Sequence, residues 1–177
     1  ARLTYPRVLE ENLRLDTPDQ ALSQKQQILR LRHDSRNRIT FKSPGKTVDG
    51  VLERTEIELE VDNFEAARQI LEALGFSTFM IYEKYRETFE LDDVTVTLDE
   101  MPFGNFAELE GPDAAHIQAV ARKLSLNWER RSNLSYMKLF AELKHILGLE
   151  LSDLRFVDFE NRELMPEHLG LLPGDRS

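Results

Sequence analysis

Two short stretches, Ile28-Leu29-Arg30-Leu31-Arg32 and Arg38-Ile39-Thr40-Phe41-Lys42, decide the fold class of this chain. In each stretch, apolar residues alternate with charged or polar residues. Successive side chains of a β-strand point to opposite faces of the sheet. Both stretches are therefore predicted to be strands with one apolar and one charged face, and Ser35-Arg36-Asn37 between them is predicted to be a turn.

The same alternation recurs through the first two-thirds of the chain. It predicts strands at residues 8–15, 28–33, 38–42, 53–61, 78–90, 94–99 and 105–110. Short turn signals such as Asp92-Asp93 separate them, so we expect an antiparallel meander that closes, or nearly closes, into a barrel. Apolar residues at helical spacing predict amphipathic helices at residues 63–74, 113–124 and 134–147, which should pack against the apolar side of the strands. The predicted class is α+β.

Length and composition favour a single water-exposed domain. The chain has 177 residues, of which 41% are hydrophobic. We expect one domain over residues 1–172 and a short tail over residues 173–177. No apolar run approaches the roughly 20 residues that span a bilayer, and no signal peptide is visible, so a cytoplasmic protein without a membrane partner is expected. The absence of cysteine excludes disulfides and thiolate metal sites.

The net charge of −9, from 23 basic and 32 acidic residues, argues against a nucleic-acid partner. A local cluster of basic residues can nevertheless hold a small anion. The polar faces of the predicted strands are rich in formal charge: Arg30 and Arg32; Arg38, Thr40 and Lys42; Arg54, Glu56, Glu58 and Glu60; Lys84, Arg86 and Thr88; Thr95, Thr97 and Asp99; Glu108 and Glu110.

Two interpretations explain these charged faces. An antiparallel sheet with a core side and a solvated side gives clean alternation. Alternatively, helices cover an apolar outside and the charges line a lumen, where they are tolerable only if they pair with each other or bind a ligand. Alternation alone does not decide between the two.

An ordered set of short motifs extends over about residues 15–147. The set comprises Leu15-Asp16-Thr17-Pro18-Asp19, Leu29-Arg30-Leu31-Arg32, Ile39-Thr40-Phe41-Lys42-Ser43-Pro44, Arg54-Thr55-Glu56-Ile57-Glu58, Leu74-Gly75-Phe76, Glu83-Lys84-Tyr85-Arg86, Leu98-Asp99, Gly104-Asn105-Phe106-Ala107-Glu108-Leu109-Glu110 and Ser135-Tyr136. Each motif is weak alone, but in its order and spacing the set resembles a known family, the CYTH superfamily. The superfamily includes class IV adenylyl cyclases, thiamine triphosphatases and inorganic triphosphatases.

The resemblance implies an antiparallel β-barrel, with helices packed on the outside, whose lumen binds a small-molecule triphosphate together with Mg²⁺ or Mn²⁺. The residues it implies as phosphate contacts are Arg30, Arg32, Lys42, Arg54, Lys84 and Arg86, of which Lys84 and Arg86 would be catalytic. The residues it implies as metal ligands or their supports are Glu56, Glu58, Glu108 and Glu110, with Asp99 nearby. Arginine forks and lysine charges suit phosphate oxygens, and carboxylates suit hard divalent ions.

One family feature is missing. The first strand of the family carries a Glu-x-Glu-x-Lys motif, and Glu10-Glu11-Asn12 does not have that spacing. We therefore expect the sequence to begin after that strand, without two metal-binding carboxylates and one cation.

Other catalytic signals fail. Ser43-Pro44-Gly45-Lys46-Thr47 ends like a phosphate-binding loop but has Thr40 where its first glycine should stand, and the four histidines lack metal-ligand spacing. The leading hypothesis is a metal-dependent triphosphatase. The alternatives are an adenylyl cyclase, a non-catalytic polyphosphate-binding domain, and an interaction domain whose charged residues are scattered over a solvent-exposed face. A homodimer is compatible with the sequence, which does not decide the oligomeric state.

Overall fold

A computed structural model of the chain describes residues 1–160, 162 and 166–175. Its main element is a seven-stranded antiparallel sheet in the order β6-β3-β2-β1-β7-β8-β9. A separate two-stranded hairpin, β4-β5, lies between β3 and β6 in the chain. The predicted α+β class with a mainly antiparallel sheet is confirmed.

The strands agree closely with the alternation in the sequence. The sheet strands are β1 (Arg2–Asp16), β2 (Ile28–His33), β3 (Asn37–Lys42), β6 (Glu56–Glu60), β7 (Ser77–Leu91), β8 (Val94–Met101) and β9 (Gly104–Glu110). The predicted strand over residues 53–61 is wrong at its start. The hairpin strands β4 (Lys46–Val48) and β5 (Val51–Glu53) precede β6, and Arg54 and Thr55 link β5 to β6. The amide of Ser43 donates to the Thr55 carbonyl oxygen, and the amide of Thr55 donates to Ser43 Oγ, which holds this linker beside the end of β3.

The first strand of the sheet is present, so the expectation that the chain lacks it is wrong. β1 lies at the centre of the sheet and pairs with β2 on one side and β7 on the other. Its alternation sends Leu13 and Leu15 to the apolar side. Glu10, Asn12 and Arg14 therefore belong to the opposite face, and the strand does not carry a Glu-x-Glu-x-Lys motif.

Two helices cover the apolar face, as the amphipathic patterns predict. Helix α2 (Phe64–Ala73) begins at Asn63, whose side chain caps the Ala66 amide, and packs Ala67 and Leu71 against leucines of β1 and β2. Helix α3 (Ala114–Lys123) packs Val120 against Val94 and Val96 of β8. The short helix α1 (Ala21–Gln24) connects β1 to β2. No helix in the described part of the chain is long and apolar enough to cross a membrane.

Helix α4 (Tyr136–Leu147) packs on the other face of the sheet. Its residues Leu139, Phe140 and Leu143 form one buried cluster with Tyr82 of β7 and Met101 of β8. Leu154 and Phe159, which follow α4 in the chain, join the same cluster. The charged face is therefore covered at one end by α4, because β7 and β8 carry apolar and aromatic residues there in place of charges.

The tip of the β4-β5 hairpin contacts the segment between α3 and α4. The carbonyl oxygen of Gly50 at its tip accepts hydrogen bonds from Arg131 Nε at 3.3 Å and Asn133 Nδ2 at 3.2 Å. Both donors lie between α3 and α4. At the end of the chain, Pro173 and Gly174 accept hydrogen bonds from Arg130 and Asn127. Residues 176 and 177 of the predicted tail lie outside the described residues.

Candidate functional site

The charged side chains form ordered rows across neighbouring strands, because the strands pair in a fixed register. One row runs across β1, β2, β3 and β6 through Arg14, Arg30, Thr40 and Glu58. The next row runs through Asn12, Arg32, Arg38 and Glu60, and Tyr82 and Lys84 on β7 pair with Asn12 and Glu10. Since all these positions share one side of the sheet, we call this surface the charged face.

A buried chain of ion pairs crosses the middle of the charged face. Arg32 Nη1 lies 3.0 Å from Glu10 Oε1, and Lys84 Nζ lies 3.6 Å from Glu10 Oε2 and 2.9 Å from Asp99 Oδ2. Glu10, Lys84 and Asp99 are only 2%, 3% and 1% exposed. Charges this deep are tolerated because each one faces an opposite charge.

Asp99 anchors this chain at its β8 end. Arg86 donates to both of its carboxylate oxygens, at 2.6 Å to Oδ1 and 2.5 Å to Oδ2, and Tyr136 of α4 donates to Oδ2 at 2.9 Å. Burial would raise the pKa of Asp99, but the hydrogen bond from Arg86 and the charges of Lys84 and Arg86 lower it to about 2. Arg86 also contacts Glu108 Oε2 on β9 at 2.5 Å.

Arg30 is buried, and no carboxylate of the described residues lies within hydrogen-bonding distance of it. Its Nη2 donates to Thr40 Oγ1 at 3.1 Å, its Nη1 donates to Tyr82 Oη at 3.3 Å, and the nearest carboxylate oxygen, on Glu58, is 3.7 Å away. Glu58 is itself shared, because Thr40 donates to it and Arg38 lies 3.6 Å from its other oxygen. Burial lowers the pKa of Arg30, but Tyr82, Glu10 and Glu58 together raise it above its usual value, although none of the carboxylates accepts a hydrogen bond from it.

Several buried N–H donors on the same face have no acceptor in the described part of the chain. They are Asn12 Nδ2, Arg14 Nε, Arg30 Nε and Arg38 Nε, which lie in the two neighbouring rows of β1, β2 and β3. Among the described residues, we find no carboxylate within 4.0 Å of the Arg14 guanidinium. A buried donor without an acceptor is destabilising, so this excess of donors indicates a site for an external acceptor.

The electrostatic balance supports an anion site. Burial, and then the positive charge of Arg30, lowers the pKa of both Arg32 and Lys42. Burial would raise the pKa of Tyr82, yet the charges of Arg30, Lys84 and Arg32 lower it to about 8. The lowered pKa values of Arg32 and Lys42 mean that positive charge is disfavoured there, and the lowered pKa of Tyr82 means that negative charge is favoured. Both effects are expected where the local electrostatic potential is positive, although the net charge of the chain is negative.

A second charged group lies at the edge of the charged face. Lys42 Nζ is 2.7 Å from Glu56 Oε1, and Arg54 Nε is 3.0 Å from the same oxygen. The Glu56 side chain is partly exposed, so this group borders solvent. It sits beside the β4-β5 hairpin, at the end of the face opposite Asp99 and Glu108.

The structure thus brings many of the residues implied by the resemblance together. Arg30, Arg32, Lys84, Arg86, Asp99, Glu58 and Glu108 share contacts on the charged face, and Lys42, Arg54 and Glu56 form the edge group. Glu110 is exposed at the end of β9 opposite Thr95, and we find no ion pair for it within the described ranges. The residues that sequence reasoning did not place at the site are Glu10, Asn12, Arg14, Tyr82 and Tyr136.

The carboxylates fit a divalent cation that is shared with a ligand. Within the described residues, no three His, Asp or Glu side chains are close enough to hold a metal ion by themselves. One buried carboxylate oxygen, Glu10 Oε2, nevertheless has no hydrogen-bond donor. Mg²⁺ commonly binds one or two carboxylates together with substrate phosphates, so a preformed three-carboxylate cage is not required.

Known proteins share sequence and fold with this chain. A protein of Methanocaldococcus jannaschii, named as a candidate adenylate cyclase, is 30% identical over 104 residues, which cover 57% of this chain and 58% of that protein. The match therefore spans less than two-thirds of the relative.

Solved structures share the fold. A candidate adenylate cyclase from Vibrio parahaemolyticus is 22% identical, with a TM-score of 0.68 over 79% of this chain and 84% of that one. A candidate adenylyl cyclase from Hippeastrum, described as having a dominant triphosphatase activity, is 16% identical, with a TM-score of 0.61 over 96% of this chain and 89% of that one. The profile of the CYTH domain matches residues 7–139, three-quarters of the chain. This chain therefore belongs to the CYTH domain family.

Proposed function

We propose that this protein binds a triphosphate on the charged face and hydrolyses it with the help of a divalent cation. The observation that carries the proposal is the set of buried N–H donors without acceptors around Arg14 and Arg30. Phosphate oxygens are strong acceptors for guanidinium donors. The cations extend over β1, β2, β3 and β7, a wider area than one phosphate group can contact, which favours a chain of phosphates.

The residues take separate roles in the proposed reaction. Arg14, Arg30 and Arg32 bind and orient the phosphate chain. Lys84 and Arg86 stabilise the charge that develops on the transferred phosphoryl group, since such transfer depends mainly on positioning and electrostatics. Asp99 holds Lys84 and Arg86 in place, because three donors already occupy its oxygens.

A bound Mg²⁺ or Mn²⁺ would neutralise phosphate charge and activate the attacking water. Besides Asp99, the carboxylates close to Lys84 and Arg86 are Glu10 and Glu108, and Glu56 and Glu58 provide two more on β6. Anion binding would also free these carboxylates, because their present cationic partners would turn to the phosphates. The metal would therefore enter together with the triphosphate.

Adenylyl cyclase activity is the second candidate, favoured by the name given to the Methanocaldococcus relative. Cyclisation and hydrolysis need the same phosphate contacts and differ in the nucleophile. Hydrolysis needs no pocket for adenine, so it requires less of the site. The dominant triphosphatase activity described for the Hippeastrum protein lends support to hydrolysis.

The deciding experiment incubates the full chain with tripolyphosphate, thiamine triphosphate or ATP, each with Mg²⁺, Mn²⁺ or EDTA. We expect metal-dependent release of phosphate from one or more of the three. Pyrophosphate and cyclic AMP from ATP would instead establish a cyclase. Tripolyphosphate binding without any turnover would overturn the enzymatic proposal in favour of a binding domain, and absence of binding would overturn both.

The affinity for tripolyphosphate is expected to fall as the pH rises above about 8. The pKa of Tyr82 is lowered to about 8. Above that pH its phenolate neutralises Arg30, and a bound anion, which disfavours the phenolate, must compete with it. The affinity should fall by up to about tenfold per pH unit. Calorimetric titrations between pH 6.5 and 9.5 measure the slope, which Tyr82→Phe should abolish; an equal slope in that variant would contradict the assignment.

A further inference from the structure

Asn12 occupies the centre of the charged face and is completely buried, with 0% of its surface exposed. It lies on β1, between Arg32 on β2 and Tyr82 on β7, which are its paired residues on the two neighbouring strands. A neutral amide at this place is unusual, because the residues around it are charged or phenolic. The hydrogen bonds of Asn12 therefore indicate which kind of partner, a donor or an acceptor, is missing from the site.

The orientation of the Asn12 amide is fixed by Arg32. Arg32 Nε donates to Asn12 Oδ1 at 3.0 Å, and a guanidinium group can only donate. The NH₂ group of the amide must therefore point away from Arg32. In this orientation Asn12 Nδ2 is buried and has no acceptor in the described part of the chain.

One neighbouring acceptor, Glu10 Oε2, has no hydrogen-bond donor, yet Asn12 Nδ2 does not donate to it. Glu10 Oε1 is engaged by Arg32, and Glu10 Oε2 faces Lys84. On the next row, Arg14 Nε and Arg30 Nε are also buried donors without partners. Three unsatisfied donors in two adjacent rows can be satisfied together by one oxygen-rich anion, whereas each would otherwise be left buried at a cost in stability.

We infer that Asn12 is a direct ligand of the bound phosphate chain and a determinant of how the site uses metal. Its Nδ2 donates to a phosphate oxygen. The amide is neutral, and the atom that it turns away from Arg32 is a donor, so Asn12 adds neither a negative charge nor a metal ligand to the site. The consequence is that the protein binds tripolyphosphate even without a divalent cation. This inference rests on the proposed function and adds a metal-independent binding step to it.

The test compares the wild-type chain with Asn12→Asp by calorimetric titration with tripolyphosphate in EDTA and in Mg²⁺. Aspartate keeps an oxygen for Arg32 but replaces the donor with a negative oxygen that faces Arg14 and Arg30. We expect wild-type binding in EDTA, and about tenfold to 100-fold weaker binding by Asn12→Asp. Mg²⁺ should restore most of the affinity that Asn12→Asp loses. Asn105→Asp, the same change at an exposed position on β9, should bind like the wild type.

Equal affinities of wild-type and Asn12→Asp chains in EDTA would overturn the inference and leave the proposed function intact. Failure of the wild type to bind in either condition would overturn the function itself. If Asn12→Asp does not fold, the ¹H–¹⁵N spectrum of the wild-type chain tests the inference instead. The side-chain NH₂ signals of Asn12 should shift on addition of tripolyphosphate in EDTA, and an unshifted pair beside shifted backbone signals of β1 would refute the contact.

Discussion

Arg30→Met is expected to abolish most tripolyphosphate binding while leaving the fold intact. The substitution removes a buried guanidinium whose Nε has no acceptor and whose nearest carboxylate oxygen is 3.7 Å away. Two charge-assisted hydrogen bonds to phosphate would be lost, so the affinity should fall by about 100-fold or more. The rate of phosphate release should fall together with the affinity.

The stability of Arg30→Met separates a binding role from a structural one. Methionine fills a similar volume without charge, and Glu58 keeps Thr40 and Arg38 as partners. The midpoint of thermal unfolding should therefore stay the same or rise, as often occurs when a charge kept for function is removed. Arg122→Met, which removes an exposed cation of α3, is the matched control and should change neither property. A large loss of stability with unchanged affinity would show that Arg30 serves the fold alone.

The strand periodicity was enough to predict which side chains share a face. Arg30 and Arg32, or Lys84 and Arg86, are two residues apart in sequences with alternating apolar residues, and any strand sends such pairs to one side. The same rule applied to Val8–Leu15 would have placed Glu10, Asn12 and Arg14 with them. The family motif does not indicate them, because Glu10-Glu11-Asn12 does not have its spacing.

Other features depend on contacts that lie far apart in the sequence. Which carboxylate meets which cation is set by strand register, as in the pairing of Arg86 with Asp99. The packing of α4 against the charged face could not be predicted from its own amphipathic pattern, because that pattern indicates an apolar partner without naming it. Tyr136 reaches Asp99 only because α4 lies there. The β4-β5 hairpin was missed because its strands have three residues each.

Asp99→Asn is expected to cause the largest loss of stability of any single change on the charged face. Lys84 and Arg86 would lose the carboxylate that both of them contact, and would remain buried. Breaking a buried ion pair by removing one partner costs about 3–5 kcal/mol in the free energy of unfolding. Urea unfolding at pH 7 measures the loss. Asp92→Asn removes the partner of Lys123 in an exposed ion pair and should cost no more than about 1 kcal/mol.

The dependence on pH provides an independent check of the Asp99 anchor. Because the pKa of Asp99 is about 2 in the folded protein and about 3.9 in an unfolded chain, its ionised form stabilises the fold fully above about pH 5. That contribution is lost as the pH falls through 4 towards 2, where the carboxyl group is protonated in both states. The difference in unfolding free energy between wild type and Asp99→Asn should therefore be constant from pH 7 to pH 5 and shrink below pH 4. A difference that does not change down to pH 2.5 would mean that asparagine disturbs packing, and that the charge of Asp99 does not hold Lys84 and Arg86 in position.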